Sequence, residues 1–314
     1  MNNPIALVGD LNPTQVGNWL ALLQVELPGE TIIEFSQLSP VQKQQCELAI
    51  VANPNPADIA QLPNLVWLHS LWAGVEKLVA NFKAPTFKLV RLIDPTLTEA
   101  MSEAVLAWTL YLHRDMPHYM HAQAKAQWQG KPYSKPSDKT IGLLGLGQLG
   151  SASAQRLVAN GFNVLGWSRN PKQIEGITVF SGEQGLNQLL GQSDIVVVLV
   201  PLTPSTQHLL NAQRLSMMKP TASIINFARG GIIDIDALVQ KLDENQLAHA
   251  VLDVFDQEPL PKDSQLWQHK NITILPHISA QTNPQTASQI VANNIKHYRK
   301  TNQIPACINY ETGY

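Results

Sequence analysis

The chain has 314 residues, 44% of them hydrophobic, and 22 Lys and Arg residues stand against 24 Asp and Glu residues. This length predicts roughly two domains of about 100–200 residues each. A net charge of −2 provides no strongly basic face, so the composition argues against nucleic acid binding. The longest apolar run, 195–201, is far shorter than the ~18 residues of a membrane span, so no membrane association is expected.

The two cysteines, Cys46 and Cys307, lie far apart and form neither a disulfide framework nor a metal-type pair. Such cysteine usage fits a reducing compartment. The first ten residues lack the basic start and long apolar core of a signal peptide. We therefore expect a cytoplasmic protein.

The first hundred residues alternate short apolar runs with helical or polar stretches. Val16, Trp19, Leu20 and Leu23 recur at helical spacing between the first two apolar runs. Repeated β-α-β units of this kind predict a parallel sheet covered by helices. The predicted strands begin at Ile5, Thr31, Glu47, Leu65 and Phe87.

A long helical pattern follows over residues 98–128, with Thr98 as its predicted N-cap. Pro117 must kink or end the first helical segment. The polar, turn-rich residues 130–139 then indicate a connector. The apolar stripe of the helix consists of Met101, Val105, Trp108 and Leu112.

A second α/β series starts at Thr140 and contains enough strands for a complete doubly wound domain. The tail, 283–300, is an amphipathic helix that this second domain does not need, so it is expected to return to the first domain. The seven predicted strands begin at Thr140, Asn163, Ile177, Asp194, Ala222, Ala248 and Asn271.

The motif "GLGQLG" (145–150) joins the first strand of this series to a helix, which is the context of a dinucleotide-binding turn. Gly145 permits the tight turn, Gly147 permits close approach of a pyrophosphate, and Gly150 permits close helix–strand packing. Free amides at the helix start favour an anion. A glycine turn that binds nothing, or another nucleoside ligand such as S-adenosylmethionine, is the alternative.

The next strand ends in Ser168 and Arg169 instead of the acid that accepts hydrogen bonds from the ribose hydroxyls of NAD. Ser168 can donate to a 2′-phosphate, Arg169 can pair with it bidentately, and Lys172 can add charge. The chemistry therefore favours NADP(H), with NAD(H) bound more weakly. An exposed arginine with NAD bound less specifically is the alternative.

Three polar residues follow later strands at the edge where such sheets bind ligands, namely Arg229, Glu258 and His277. Arg229 could bind a carboxylate and polarise the adjacent carbonyl. His277 could protonate the carbonyl oxygen as hydride arrives, while Glu258 holds the imidazole oriented and favours its protonated form. Taken singly, each residue is more often an ordinary ion-pair or turn residue.

The ordered motifs "GLGQLG", "NFARGG", "DVFDQEPLP" and "LPHISA" resemble the D-isomer-specific 2-hydroxyacid dehydrogenase family over essentially the whole chain. The stretches "SLWAGVE" and "WSR" and the C-terminal "GY" (313–314) resemble its branch that reduces glyoxylate and hydroxypyruvate with NADPH. The resemblance implies that Arg229, Glu258 and His277 are catalytic.

The family fold implied is two doubly wound α/β domains, a Rossmann NADP-binding domain and a flavodoxin-like substrate domain, with the active site in the cleft between them. We expect the substrate domain over 1–102 and 281–314, and the cofactor domain over 103–280. Homodimers, paired largely through the cofactor domain, are usual in the family.

The resemblance assigns further residues to the substrate and the cofactor. The amides of Ala73 and Gly74 should bind the substrate carboxylate, with Arg91 nearby. Trp72 stands where many relatives have glycine; we expect it to narrow the pocket, the alternative being that it packs outward. Asp253 should meet the nicotinamide carboxamide. Further cofactor contacts are expected from Gln148, Leu149, Pro201, Leu202, Thr203, Phe227 and Ala228.

Two other functions are compatible with the sequence. One is that of a 2-hydroxyacid dehydrogenase with another substrate preference, and the other is that of a nucleotide-sensing, corepressor-like binding protein. His113, His118 and His121 suggest a metal site, but neighbouring carboxylates and cysteines are scarce, so no metal is expected.

Overall fold

The computed structural model describes residues 3–82 and 85–310. Gly313 and Tyr314, which carry part of the family resemblance, lie outside these ranges. The chain divides into two compact units, the first comprising Met1–Thr96 and Thr282–Tyr314 and the second Leu97–Gln281.

The first unit is built on a five-stranded parallel sheet in the order β2-β1-β3-β4-β5. This strand order is the flavodoxin-like doubly wound order, as predicted. In its register, Ile5 pairs with both Ile32 and Leu48. The strands are β1 (Ile5–Gly9), β2 (Ile32–Glu34), β3 (Leu48–Ala52), β4 (Trp67–Ser70) and β5 (Lys88–Val90).

Helices cover both faces of this first sheet. On one face, the side chains of Leu23 and Ile295 pack with Trp67, and on the other Leu68 and Leu89 pack with Ile59. The C-terminal helix therefore packs in the first unit. The sequence predicted this because the second α/β series has enough strands for a complete domain without the helix. The helices are Pro13–Glu26, Pro40–Gln45, Pro56–Ile59, Glu76–Asn81 and the C-terminal helix Pro284–Thr301.

The second unit contains a seven-stranded sheet in the order β12-β11-β10-β9-β6-β7-β8, with every neighbouring pair parallel. Six of these strands, β8-β7-β6-β9-β10-β11, follow the strand order of dinucleotide-binding domains, and β12 is an additional edge strand. The direction in which successive strands are added reverses between β6 and β9. The strands are β6 (Thr140–Leu144), β7 (Asn163–Ser168), β8 (Thr178–Ser181), β9 (Ile195–Val198), β10 (Ser223–Asn226), β11 (His249–Leu252) and β12 (Ile272–Ile274).

The helices associated with this sheet bury leucines such as Leu157, Leu189 and Leu238 against its two faces. Within the described ranges, no helix has the length and apolarity needed to cross a bilayer. The helices are Pro95–His113, Met116–Ala124, Gln148–Ala159, Gly182–Gln192, Ala212–Leu215 and Ile235–Asp243.

The long helical pattern forms two helices, and the prediction of Thr98 as its N-cap is wrong. The first helix starts three residues earlier, at Pro95. Oδ1 of Asp94 accepts a hydrogen bond from the amide of Thr96 at 2.8 Å, and proline at the first helical position has no amide that needs a partner. As predicted, the first helix ends before Pro117, which lies in the first turn of the second.

Candidate active site

The glycine motif forms a turn from β6 into the helix Gln148–Ala159. Gly145 has φ = +100°, a conformation that side chains rarely adopt. A Cβ on Gly150 would collide with the carbonyl oxygen of Gly145, so only glycine allows the helix to start this close to the strand. Beside Gly147 the space is open. The turn can therefore hold a phosphate against the first amides of the helix.

At the end of β7 two basic side chains are held by oxygen acceptors. Nη2 of Arg169 donates to Oγ of Ser205 at 2.9 Å, and Nζ of Lys172 donates to the carbonyl oxygen of Leu146 in the glycine turn at 2.5 Å. The hydroxyl of Ser168 donates to the carbonyl of Asn170 at 2.6 Å. Lys172 therefore lies against the glycine turn and Arg169 against the loop after β9, and both follow the strand end where the sequence predicted a 2′-phosphate.

The loop after β9 is stiffened by three neighbouring hydroxyl groups. Oγ1 of Thr206 donates to the carbonyl of Pro201 at 2.6 Å and accepts from the amide of Thr203 at 2.8 Å. The hydroxyls of Thr203 and Ser205 lie 3.0 Å apart. Leu202 lies in the same loop. This network fixes Ser205, the partner of Arg169, which the sequence interpretation missed.

Arg229 follows β10 in a loop bracketed by the side chain of Asn226. The Asn226 side chain is buried; it accepts from the amide of Ala228 at 3.1 Å and donates to the carbonyl of Arg229 at 2.9 Å. Nη1 of Arg229 donates to the carbonyl of Ala228 at 2.6 Å. Phe227 and Ala228 are themselves buried. Asn226 was not predicted; its signal is an asparagine that ends the strand directly after two isoleucines.

Glu258 and His277 form a direct pair. Nδ1 of His277 lies 2.7 Å from Oε2 of Glu258, and Oε1 of Glu258 accepts from the amide of Phe255 at 2.9 Å. About half of the His277 side chain is exposed, at 49%. Among the described residues Nε2 of His277 has no hydrogen-bond partner, so it can meet a ligand while the carboxylate fixes the ring.

Asp253 holds the turn that carries His277. The residue is 2% exposed, and its carboxylate accepts from the amides of Ile278 at 2.7 Å and Ser279 at 3.0 Å. Its carbonyl accepts from the amide of His277 at 3.0 Å. Because His277 has φ = +53°, these three bonds support a backbone conformation that is uncommon outside glycine. A contact of Asp253 with the nicotinamide stays a prediction.

The predicted substrate residues of the first unit lie in the loop after β4 and at the end of β5. The amide of Trp72 donates to Oγ of Ser70 at 3.0 Å, and its carbonyl accepts from the amide of Leu92 at 3.2 Å. In the described part of the chain, the amides of Ala73 and Gly74 have no hydrogen-bond partner. Arg91, directly after β5, is half-buried.

The ring of Trp72 packs edge-on against Trp19, with centroids 6.1 Å apart. Its Nε1 is buried, and among the described residues it has no hydrogen-bond partner. The indole thus packs against the core of the first unit and not outward. That it also narrows the substrate pocket stays a prediction.

Within the second unit, the predicted residues lie at or after the carboxyl ends of parallel strands, which meet at one edge of the sheet. A Cβ on Gly230 would collide with the backbone of Phe255 and Asp256, so the loop carrying Arg229 directly contacts the loop leading to Glu258. The arrangement places an anion cradle, a cation and an oriented imidazole at the same edge.

The histidines considered for a metal do not form a ligand set. Over the ranges 3–82 and 85–310, no three His, Cys, Asp or Glu side chains converge as a metal site.

His249, at the amino end of β11, has its Nε2 2.8 Å from Oγ1 of Thr273. Burial, with the nearby His121 and His269, lowers the pKa of His249 to about 4. This side chain starts a strand, whereas the active-site residues follow strand ends.

Comparison with known proteins identifies relatives along nearly the whole chain. Residues 106–279 match the family described as D-isomer specific 2-hydroxyacid dehydrogenase, NAD binding domain. A glyoxylate/hydroxypyruvate reductase A of Serratia proteamaculans is 36% identical over 283 residues, covering 88% of this chain and 90% of the relative. The enzyme of the same name from Citrobacter koseri is 31% identical over 302 residues, covering 94% of this chain and 96% of the relative.

Solved structures are similar over the full length. A D-isomer specific 2-hydroxyacid dehydrogenase from Xanthobacter autotrophicus Py2, in complex with NADPH and MES, superposes with a TM-score of 0.92 at 34% identity. An NADPH-dependent glyoxylate/hydroxypyruvate reductase from Sinorhizobium meliloti, in complex with NADP and sulfate, gives 0.90 at 29% identity. Each comparison covers 100% of both chains.

Proposed function

Because the chain belongs to the D-isomer specific 2-hydroxyacid dehydrogenase family, we propose that it reduces glyoxylate to glycolate and hydroxypyruvate to D-glycerate with NADPH. The observation that carries this proposal is the 2.7 Å contact between His277 and Glu258, at the same sheet edge as the glycine turn. An imidazole held by a carboxylate beside a nicotinamide site is the arrangement that a carbonyl reductase needs.

NADP(H) is the cofactor that the residues fit. The open space beside Gly147 and the free amides of the following helix suit the pyrophosphate. Arg169, held by Ser205, and Lys172 provide charge for the 2′-phosphate. When bound, NADPH supplies the hydride for the reaction. Relatives solved with NADP or NADPH support this assignment.

His277 donates the proton that the reduction consumes. The overall change is 2-oxo acid plus NADPH plus a proton, giving 2-hydroxy acid plus NADP⁺. His277 gives its Nε2 proton to the carbonyl oxygen of the substrate, while Glu258 accepts the hydrogen bond from Nδ1 and stabilises the imidazolium before transfer. Asp253 keeps the ring in place through the backbone of its turn.

Two groups of residues are suited to bind a carboxylate. In the second unit, the guanidinium of Arg229 pairs with the substrate carboxylate and polarises the neighbouring carbonyl. In the first unit, the amides of Ala73 and Gly74, unpartnered in the described part of the chain, can donate to a carboxylate. Trp72 and Arg91 are proposed to limit substrate size and to add charge, respectively. A homodimer stays a prediction that follows from the family, and a cytoplasmic location stays a prediction that follows from the cysteine usage and the N-terminal composition.

The test is an NADPH absorbance assay with a panel of 2-oxo acids, repeated with NADH. We expect glyoxylate and hydroxypyruvate to give the highest kcat/KM, and NADPH to exceed NADH. A better rate with a bulkier 2-oxo acid would indicate a different substrate preference. If no 2-oxo acid oxidises either cofactor although NADPH binds, the chain is a nucleotide-binding module and the proposal fails.

A further inference from the structure

His69 is a fully buried histidine at the carboxyl end of β4, directly before the loop that contains Ala73 and Gly74. Its exposed fraction is 0%. Nδ1 lies 2.8 Å from the carbonyl oxygen of Ser70, and Nε2 lies 2.9 Å from Nδ2 of Asn294 on the C-terminal helix. All of these groups belong to the first unit. Both ring nitrogens are thus hydrogen-bonded inside the core.

The two partners determine the protonation state of the ring. A backbone carbonyl only accepts, so Nδ1 must carry a hydrogen and donate it to Ser70. In the neutral ring Nε2 is then an acceptor, which requires Asn294 to present its NH₂ group, as the structure has it. Burial lowers the pKa of His69 to about 4, which keeps the ring neutral at physiological pH.

Ser70 connects this histidine to the following loop. Its carbonyl is engaged by His69, while its hydroxyl accepts from the amide of Trp72 at 3.0 Å. The amide of Leu71 donates to the carbonyl of Val51 at 2.8 Å, which extends the strand pairing by one residue. Hydrogen bonds therefore hold the backbone at Ser70, Leu71 and Trp72. The next two amides, of Ala73 and Gly74, have no hydrogen-bond partner in the described part of the chain.

We propose that His69, held in its Nδ1–H form by Asn294, is a positioning residue that orients the loop 70–74 for binding the carboxylate of a 2-oxo acid. The inference rests on the proposed function, because the loop needs an anionic substrate to bind. It assigns His69 no contact with substrate or cofactor. The C-terminal helix thereby sets the geometry of the substrate loop.

Substitutions can separate this role from a general contribution to packing. His69→Phe and Asn294→Leu each remove the pair, and we expect the KM for glyoxylate to rise about tenfold, the scale of one lost buried hydrogen bond, with kcat changing less than twofold. Gln in place of His69 can offer an amide N–H to Ser70 and an oxygen to Asn294, so His69→Gln should restore the KM to within about threefold. The affinity for NADPH, measured by fluorescence titration, should be unchanged in all variants.

His297→Phe is the matched control, because His297 lies on the exposed side of the same C-terminal helix. We expect it to leave the KM unchanged. If His69→Phe keeps the wild-type KM while its thermal unfolding shows a folded protein, the positioning role is wrong. A His69→Gln variant that fails to recover the KM although it folds also contradicts it.

A second measurement does not depend on activity. Long-range ¹⁵N–¹H NMR of the wild-type protein should show His69 protonated at Nδ1 only, with ring shifts constant from pH 8 to pH 5.5. A hydrogen on Nε2, or titration in this range, would overturn the inference. If the wild type reduces no 2-oxo acid, the proposed function fails by itself, whereas the NMR result still decides the state of His69.

Discussion

Nδ1 of His277 lies 2.7 Å from Oε2 of Glu258, although the two residues are 19 positions apart and lie in different loops. Each partner is fixed a second time: Glu258 by the amide of Phe255, and the turn of His277 by Asp253. Preorganisation of this kind means that the imidazole needs little rearrangement before it transfers a proton. The expected effects of mutation follow from these contacts.

Glu258→Gln should lower kcat by about 10- to 100-fold at pH 7, since the amide keeps the size of the side chain but removes the charge that stabilises the imidazolium. Steady-state kinetics from pH 5 to pH 9 measures the decrease. Glu244→Gln, at an exposed helix end, is the control. An unchanged kcat across this range would show that the pair is structural only.

Arg169→Ala should raise the KM for NADPH by about 10- to 100-fold and leave the KM for NADH nearly unchanged, because only the 2′-phosphate requires the guanidinium. Ser205→Ala should raise the same KM by only a few-fold, because it frees the guanidinium without removing it. NADH is the internal control in both cases. An equal rise in the KM for NADPH and for NADH would mean that Arg169 supports the fold of the site and does not bind the 2′-phosphate.

Asp253→Asn should destabilise the second unit by about 2 kcal/mol. The two carboxylate oxygens accept from the amides of Ile278 and Ser279, whereas the asparagine side chain has one acceptor oxygen and no charge. Its kcat should fall at least tenfold, because the turn of His277 loses its support. Thermal unfolding and kcat are to be measured on the same preparation. Asp263→Asn, at an exposed loop position, is the control. A variant with lost activity and wild-type Tm would instead favour a direct contact of Asp253 with the cofactor.

Stability should decline on acidification through two buried histidines. The pKa of His69 and of His249 is lowered to about 4 in the folded chain, against about 6.5 when unfolded. The unfolded state therefore binds protons first, so stability is complete above pH 6.5 and is lost as the pH falls towards 4, by on the order of 3 kcal/mol per residue. Melting curves should show a flatter Tm–pH slope in the variants His69→Gln and His249→Gln. Slopes identical to that of the wild type would contradict this account.

The fold could be predicted from the sequence because its signals are local. The apolar runs gave the strands of both sheets, and the glycine motif at 145–150 lies in the strand–turn–helix context that it needs. Polar residues at strand ends, such as Arg229 and His277, are also visible locally, since parallel strands bring their carboxyl ends to one edge. Thr98 was misassigned as a cap because Asp94 and Pro95 compete for the same helix start.

Partners distant in sequence could not be predicted. The contact between His69 and Asn294 spans 225 positions, and that between Arg169 and Ser205 spans 36. Each depends on how two elements pack, which a single sequence does not encode in any local pattern. The role of Asp253 at the turn of His277 was hidden for the same reason, since its backbone partners leave no side-chain signature.

The central claim is that His277 donates the proton during NADPH-dependent reduction of a 2-oxo acid. The most direct measurement is the stopped-flow decay of NADPH absorbance with saturating glyoxylate, for wild type and His277→Ala. We predict a rate about 10²- to 10⁴-fold lower for the variant, with NADPH affinity unchanged, which is the usual contribution of a general acid. A variant that oxidises NADPH at the wild-type rate at pH 7 would contradict the account.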